Sequence, residues 1–194
     1  MRTVFFDIDT QYDFLFPAGA LYAPGAESAA AAAGELNRWA AARGIPVVST
    51  TDAHAENDPE FASWPPHCIS GTLGQTKPAA TLLDRRTTIP NRPAEFALAP
   101  QMVIEKQHID SFTNVNLPRL LAALEGGRYV VYGVVTEICV RCAAMGLLAT
   151  GKPVAIVTDA VREISPAAAQ ATLLAFQEAG GTLTTVAEIQ AGRY

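Results

Sequence analysis

Short apolar runs alternate with helix-forming segments along this chain of 194 residues, and this alternation is the feature that most constrains its fold. Strands that alternate with helices indicate a parallel sheet covered on both faces. We therefore predict an α/β fold, in which a mostly parallel, doubly wound sheet of about six strands forms the middle of a three-layer α/β/α arrangement. The expected strands are Val4–Asp9, Pro46–Thr51, Met102–Glu105, Tyr129–Val135, Val154–Thr158 and Thr182–Val186.

Helices and two loops are expected between these strands. The first helix is rich in alanine, the strongest helix former, and Ser28 is its expected N-cap. We predict loops over Thr10–Gly25 and Asp52–Pro78, and a loop as long as the second is usually functional. No repeat or linker divides the sequence, so residues 1–194 are expected to form one domain. The predicted helices are Ser28–Arg43, Leu117–Leu124, Ile138–Leu148 and Pro166–Glu178.

Charge and cysteine content exclude several classes of protein. The chain has 14 basic and 19 acidic residues and no basic run, so we expect neither nucleic acid nor a membrane surface as partner. No apolar run approaches the roughly 18 residues of a membrane-spanning helix. The N-terminal segment lacks a signal-peptide pattern, and the 3 cysteines are too few for a disulfide scaffold. We expect a cytoplasmic protein, and homo-oligomer formation is left open.

Reactive side chains stand at the ends of four predicted strands. In open α/β sheets, ligands bind outside the carboxyl ends of the strands. Asp9 ends the first strand, Asp52 follows the second, and Lys106 follows the third. Cys139 comes shortly after the fourth. Because these ends share one edge of the sheet, we predict that the four residues belong to one site.

Cys139 is the candidate nucleophile, because it lies in the first turn of a predicted helix, where backbone N–H groups favour a thiolate. A cysteine nucleophile needs a base for its proton or a cation for the thiolate, and Asp9 and Lys106 are the candidates. Taken alone, each residue has a plainer interpretation: a small buried side chain for Cys139, a capping acid for Asp9 and a solvated lysine for Lys106. Cys142 is interpreted as a packing residue.

A second pattern predicts a metal site. Asp52 and His54 are two residues apart and project to one face if the strand continues, and His67 follows in the long loop. Asp, His and His form a ligand set for zinc, iron or manganese, with zinc favoured. Glu60 is a candidate fourth ligand, and Cys68 is an alternative because it adjoins His67.

Two aromatic residues, Phe14 and Trp64, fall in the loops predicted to surround the site. They are candidates for the walls of a flat, apolar substrate pocket, and ordinary core packing is the alternative. His108 is interpreted as a surface residue or as an outer neighbour of the site.

Several segments together resemble one family. They are residues 9–14 (DTQYDF), 19–21 (GAL), 52–54 (DAH), 64–72 (WPPHCISGT), 106–112 (KQHIDSF) and 133–140 (GVVTEICV). In this combination the chain resembles the isochorismatase-like cysteine hydrolases, and within them the nicotinamidases (pyrazinamidases). The resemblance spans most of the chain.

The resemblance implies roles for these residues. It implies a catalytic triad of Asp9, Lys106 and Cys139, and a metal held by Asp52, His54 and His67 with Glu60 as a further ligand. It also implies a cis peptide between Val134 and Val135, and an oxyanion hole formed by the N–H groups of Val135 and Cys139. The implied reaction splits a small amide, nicotinamide in the nicotinamidases, into an acid and ammonia through a cysteine thioester.

Three other functions are compatible with the sequence. The first is a hydrolase of the same superfamily that acts on a different carboxamide or on a ureido compound. The second is a non-catalytic metal-binding protein with this fold. The third is a phosphohydrolase of the haloacid-dehalogenase type, suggested by Phe5–Thr10, although Gln11 stands where that family has Thr or Val.

Overall fold

The computed structural model describes residues 2–193, and its centre is a sheet of seven strands. All strand pairings are parallel, and the strand order is β3-β4-β2-β1-β5-β6-β7. The strands are β1 (Thr3–Ile8), β2 (Val47–Asp52), β3 (Arg86–Ile89), β4 (Gln101–Lys106), β5 (Arg128–Val134), β6 (Val154–Arg162) and β7 (Thr182–Thr184).

Helices cover both faces of the sheet, as predicted. They are α1 (Tyr12–Leu15), α2 (Ala26–Ala41), α3 (Leu117–Leu124), α4 (Arg141–Leu148), α5 (Pro166–Glu178) and α6 (Val186–Gln190). On one face, α2 packs on β1, β2, β5 and β6, and α6 packs beside it. On the other face lie α3, α4 and α5. Within residues 2–193, no helix combines the length and apolar character needed to cross a membrane.

Strand β1 shows how the sequence builds the two layers. Successive side chains of a strand point to opposite faces. Val4 and Phe6 accordingly pack with Leu120 of α3, whereas Phe5 packs with Leu36 of α2. All of these side chains are fully buried. A strand that is apolar on both faces belongs in the middle of a sheet, where β1 lies.

Several element boundaries differ from the predictions. The strand β3 was not expected, because its sequence Arg-Thr-Thr-Ile is short and polar, which an exposed edge strand tolerates. The region predicted as the loop Thr10–Gly25 contains α1, and the long loop contains a turn of 3₁₀ helix at Pro59–Ala62. Ser28 is not the N-cap of α2, because the helix begins earlier, after Gly25.

The second half of the chain shows further differences, among them that β6 extends to Arg162 rather than ending at Thr158. Cys139 lies in a π-helical turn, Thr136–Val140, that precedes α4, whereas one continuous helix was predicted. The last predicted strand, Thr182–Val186, ends at Thr184, because Thr185 caps α6 with a capping box. The predicted bounds of α3 and α5 are confirmed.

The topology brings the predicted site together. Strands β2, β3 and β4 lie on one side of β1, and β5, β6 and β7 lie on the other, so the sheet has its switch point beside this strand. Four neighbouring strands, β4, β2, β1 and β5, end at the same edge. Asp52 pairs in register with Lys106, and Ile8 pairs with Gly133. Asp9, Asp52, Lys106 and Cys139 therefore meet at one edge of the sheet.

Candidate active site

Lys106 lies at the centre of the strand-end cluster. Its side chain is fully buried, so the interpretation as a solvated lysine is wrong. Its Nζ lies 2.9 Å from Asp9 Oδ2 and 3.8 Å from Cys139 Sγ, and it donates a short hydrogen bond to Asp52 Oδ1. Burial alone would lower the pKa of Lys106, but the carboxylates of Asp52 and Asp9 raise it well above its usual value. The lysine therefore remains an ammonium group.

Asp9 follows directly after β1 and is also buried. Its backbone has a positive φ of 45°, a conformation that few residues other than glycine adopt. Thr50 of β2 supports it twice: the threonine hydroxyl donates to Asp9 Oδ1 at 2.5 Å and accepts from Asp9 N at 3.0 Å. The carboxylate is thus held beside Lys106.

The thiol of Cys139 faces this pair from the π-helical turn. Burial raises the pKa of the thiol well above its usual value; the Lys106 ammonium opposes this effect, and the carboxylate of Asp9 adds to it. The thiol therefore keeps its proton at neutral pH, so the thiolate expected from a position at the start of a helix is wrong, because burial outweighs the effect of the nearby N–H groups. Attack on a substrate then needs a proton acceptor, and Asp9 is a carboxylate in contact with the same lysine.

Asp52 faces both the lysine and the histidines. Burial raises the pKa of its carboxyl group to about 7, although the charge of Lys106 opposes this shift. Gln11 fixes the end of β2, because its side chain donates to Asp52 O at 2.9 Å and accepts from Asp52 N at 2.7 Å. One carboxylate oxygen of Asp52 accepts from Lys106, and the other lies 3.9 Å from His67 Nε2.

The residues predicted to bind a metal form a compact buried group. Asp52, His54 and His67 offer ligand atoms that all lie within 4.8 Å of one another. His54 Nε2 is buried and has no hydrogen-bond partner among the described residues. A buried imidazole nitrogen without a partner is costly, and a metal ion would satisfy it. Two imidazoles and a carboxylate are a suitable ligand set for zinc, iron or manganese.

Both imidazoles are oriented for coordination through Nε2. His67 Nδ1 lies 2.7 Å from Pro65 O, and a carbonyl only accepts, so the proton resides on Nδ1. His54 Nδ1 faces Asp58 Oδ2 at 3.0 Å, which favours the same tautomer. Burial lowers the pKa of His67, which favours the neutral ring that metals bind. The residues present therefore fit a divalent metal.

Asp58 was not among the predicted site residues. Besides its contact with His54, it accepts a hydrogen bond from Glu60 N at 2.9 Å and caps the 3₁₀ turn. Phe61 of that turn packs against both imidazoles, with ring centroids 5.3 and 5.7 Å away. In sequence, Asn57-Asp58-Pro59 looks like an ordinary turn. No sequence feature distinguishes it from other turn residues.

A mainly apolar pocket opens onto Cys139. Phe14 and Trp64, the predicted substrate-binding residues, both line it, and Phe14 also packs against His67. Asp52 and Glu60 contribute to its wall, so Glu60 borders the pocket but does not belong to the compact metal group of three. The remaining lining residues are Leu21, His67, Ile109, Val134, Val135, Cys139, Ile138 and Ile164.

The floor of the pocket contains the predicted cis peptide between Val134 and Val135. Gly133 precedes it with a φ of 114°. A Cβ atom at Gly133 would lie 2.1 Å from Ile8 O, so only glycine permits this close approach of β5 to β1. The cis bond turns the chain from β5 into the turn that carries Cys139.

The other cysteines lie outside this cluster. Cys68 is buried, its pKa is strongly raised by burial, and it is not part of the compact ligand group. The interpretation of Cys68 as a competing ligand has no support in this arrangement. Cys142 is half-buried on α4. His108 is exposed, in line with its interpretation as a surface residue.

A parallel α/β sheet with a thiol, a lysine and a carboxylate at its strand ends defines a hydrolase of the cysteine type. The chain belongs to the isochorismatase family, because the model of the isochorismatase domain matches residues 3–188. This confirms the resemblance found in the sequence and excludes the haloacid-dehalogenase alternative.

The individual proteins that resemble this chain include a nicotinamidase, a pyrazinamidase and an N-carbamoylsarcosine amidase. The nicotinamidase of Escherichia coli K12 is 27% identical over 208 aligned positions, which cover 93% of each protein. The zinc-bound pyrazinamidase of Pyrococcus horikoshii superposes with a TM-score of 0.82 at 26% identity, over 95% of this chain and 99% of that chain. The N-carbamoylsarcosine amidase of Thermoplasma acidophilum gives a TM-score of 0.77, also at 26% identity, over 96% and 97%.

Proposed function

We propose that this protein hydrolyses nicotinamide to nicotinic acid and ammonia, with Cys139 as nucleophile. The observation that carries the proposal is the position of Lys106, which joins the thiol of Cys139 to the carboxylate of Asp9 beneath an apolar pocket. The metal group lies at the same pocket. The coarser function follows from the family and its nicotinamidase relatives: the protein is an enzyme that cleaves amide C–N bonds.

The first half of the proposed reaction forms a thioester. Asp9 accepts the proton of the Cys139 thiol, and the sulfur attacks the amide carbonyl carbon. The oxyanion that forms accepts hydrogen bonds from the N–H groups of Val135 and Cys139, contacts of a kind worth about 3–4 kcal/mol each. Asp9 then gives its proton to the amide nitrogen, the C–N bond breaks, and ammonia leaves.

The second half releases the acid. Asp9 takes a proton from water, the oxygen attacks the thioester carbonyl, and the same two N–H groups hold the new oxyanion. The C–S bond breaks and the sulfur recovers its proton from Asp9. Lys106 remains an ammonium group throughout, because two carboxylates face it. It stabilises negative charge on Asp9 or on the sulfur as the proton moves between them.

We propose that Asp52, His54 and His67 hold a divalent metal, zinc in the first instance, and that Glu60 adds a ligand. When bound there, the metal would supply a Lewis-acid contact for the pyridine nitrogen of the substrate. Phe14 and Trp64 hold the ring between them and exclude water. Their contribution is positioning, which keeps the carboxamide over the thiol.

The charges of the pocket favour a neutral carboxamide over the ureido alternative. N-carbamoyl amino acids carry a carboxylate, which needs a cation in the binding site. Among the described residues that line this pocket, the formally charged side chains are the acids Asp52 and Glu60. Lys106 lies beneath them and is engaged by two carboxylates. Apart from the proposed metal, the described lining therefore offers no free cation to the carboxylate of an anionic substrate, whereas uncharged nicotinamide needs none.

The direct test measures ammonia release from nicotinamide, pyrazinamide and N-carbamoyl amino acids, before and after removal of metal by a chelator. We expect turnover of the two aromatic amides, little turnover of the anionic compounds, and loss of activity that zinc restores. Preferred hydrolysis of an N-carbamoyl amino acid would contradict the proposed substrate. Full activity after confirmed metal loss would remove the metal from the proposal. Metal binding without turnover of any amide would favour the non-catalytic alternative.

A further inference from the structure

Asp13 lies at the junction of the segments that form the pocket and the metal group, yet it belongs to neither set of proposed functional residues. It is half-buried in α1, next to Phe14. Its carboxylate accepts two backbone hydrogen bonds from different parts of the chain. Oδ1 accepts from Ala20 N at 3.0 Å, and Oδ2 accepts from Cys68 N at 2.7 Å.

Both partners of Asp13 adjoin residues of the site. Cys68 follows His67, a proposed metal ligand, and Ala20 precedes Leu21, which lines the pocket. Cys68 has a positive φ of 46°, so its backbone is in a conformation that an ordinary residue adopts only when its surroundings hold it. A charge-assisted hydrogen bond to its N–H is one of the stronger contacts that can do so.

The backbone of Asp13 links the same two segments of the chain through its own hydrogen bonds. Its N–H donates to Gly74 O at 3.1 Å, and its carbonyl accepts from Leu21 N at 3.1 Å. Gly74 lies so close that a Cβ atom there would come within 2.2–2.4 Å of the three carboxylate atoms of Asp13. The loop after His67 is therefore packed directly onto this carboxylate.

We propose that Asp13 is a positioning residue that sets His67 and the ring-binding wall in one geometry. The carboxylate holds the Cys68 peptide and the Ala20 peptide at a fixed separation, and so it aligns a proposed metal ligand with the pocket. The inference rests on the proposed function, since it assigns the metal to His67. Asp13 touches neither the thiol nor the substrate, and its effect passes through His67 and Leu21.

The substitution Asp13→Asn tests this directly, because it keeps the shape and removes one acceptor. The amide NH₂ group cannot accept a hydrogen bond, so either Cys68 N or Ala20 N loses its partner. We expect the zinc affinity, measured by chelator competition, to fall by about tenfold, in the range of outer-sphere substitutions. The KM for nicotinamide should rise more than kcat falls. Alkylation of Cys139 by iodoacetamide should keep its wild-type rate, which reports an intact strand-end cluster.

Asp159→Asn is the matched control. Asp159 also accepts a backbone N–H, that of Val186 at 2.9 Å, but it is exposed and its contact joins β6 to α6. Its variant should lose neither zinc affinity nor apparent substrate affinity. Equal losses in both variants would show that Asp13 acts through general stability, and would overturn the inference.

Gly74→Ala provides a second test that leaves Asp13 in place. The φ of Gly74 is not in the positive region, so alanine is tolerated by the backbone and acts through its contact with the carboxylate. We expect Gly74→Ala to lower the zinc affinity as Asp13→Asn does. When Asp13 is replaced by alanine, no carboxylate lies against the new Cβ atom at position 74. Adding Gly74→Ala to Asp13→Ala should therefore change the zinc affinity by less than twofold. Additive effects would contradict the proposed coupling.

The outcomes separate this inference from the proposed function. If the wild-type protein binds no divalent metal, the proposed metal site and this inference both fail. If the wild type binds zinc and Asp13→Asn binds it equally tightly with an unchanged KM, the inference fails and the proposed function stands.

Discussion

The two halves of the site are held in place by different means. Asp9, Lys106 and Cys139 lie at the ends of strands, where the register of a parallel sheet fixes the backbone. His54 and His67 lie in a segment outside the named strands, where a bridge between His54 and Ile69 and a few side chains maintain the geometry. Asp13 and Asp58 are the main examples of these side chains.

This difference predicts two kinds of mutational response. A substitution in the strand-end half should remove chemistry or global stability, because those side chains are buried within the sheet edge. A substitution in the loop half should change metal binding and substrate affinity while the thiol keeps its reactivity. The following experiments test this division, from the largest expected effect to the smallest.

Cys139→Ala should abolish ammonia release, with a loss of at least about 10⁴-fold in kcat, because no other group can form the thioester. The fold and zinc binding should be retained. Cys142→Ala is the control, since this half-buried thiol lies nearly one helical turn further along the chain. Turnover by the Cys139 variant would refute the proposed chemistry.

Lys106→Met should lower turnover by about 10²–10³-fold and also destabilise the metal-free protein by about 3–5 kcal/mol. The reason is that two buried carboxylates would lose their shared cation. Urea unfolding in chelator would measure the loss, with the exposed Lys152→Met as control. An unchanged unfolding midpoint would contradict the central role of this lysine.

The same variant has a defined pH dependence. Burial raises the pKa of Asp52 from its ordinary 3.8 to about 7 in the folded protein, so the fold disfavours its charged form. Such a group destabilises the fold progressively as pH rises from the lower value to the upper one. Without Lys106 the folded-state pKa rises further. The stability deficit of Lys106→Met should therefore be larger near about pH 8 than near about pH 5.

His67→Ala should weaken zinc binding by more than the roughly 10–100-fold that is typical when a residue contacting a ligand is replaced. The reason is that His67 is itself a proposed ligand. Iodoacetamide should still alkylate Cys139 at the wild-type rate. His108→Ala, the exposed histidine, should leave zinc binding unchanged. Loss of thiol reactivity in His67→Ala would show that the two halves are not independent.

Asp58→Asn should weaken zinc binding by about 10–100-fold, because the histidine it orients loses a charged partner. Asp110→Asn is a close match, since Asp110 also accepts the N–H two residues ahead and caps a 3₁₀ turn, but it is not part of the metal group. Equal zinc affinity in the two variants would refute a specific role for Asp58.

Trp64→Leu should have the smallest effect, a rise in KM of roughly fivefold, since stacking of an aromatic ring contributes about 1 kcal/mol. The value of kcat for nicotinamide should change little. Steady-state kinetics would measure both parameters, and a large fall in kcat with constant KM would place Trp64 closer to the reacting atoms than proposed.

The meeting of the strand-end residues at one edge of the sheet could be predicted from the sequence, because it depends on two simple patterns. An apolar run shows where a buried strand ends, and a parallel topology states that such ends meet. The same logic missed β3, whose polar residues carry no apolar pattern. It also placed the start of α2 at Ser28, although the serine hydroxyl instead donates to Gly25 O at 2.8 Å within the first turn.

The side chains that hold the metal-binding loop in place, Asp13 and Asp58, were harder to predict. Asp58 looks like a turn residue, and Asp13 was part of a recognised motif without an assigned role. Asp13 contacts Cys68, 55 residues further along the chain, and Asp58 contacts His54, 4 residues before it. Nothing in the local sequence pattern shows that these two pairs meet. Hydrogen bonds from a side chain to a remote peptide depend on the tertiary structure, so they became visible only with it.

The parallel sheet also has a consequence for folding. Its central neighbours bring together residues 9, 52, 106 and 139, which are separated by long stretches of chain. Each pairing closes a large loop, and the entropy of closure must be spent before the contact is gained. The lysine can be buried only when both carboxylates have arrived. Recovery of thiol chemistry during refolding should therefore lag behind helix formation, and would report the completed assembly of the sheet.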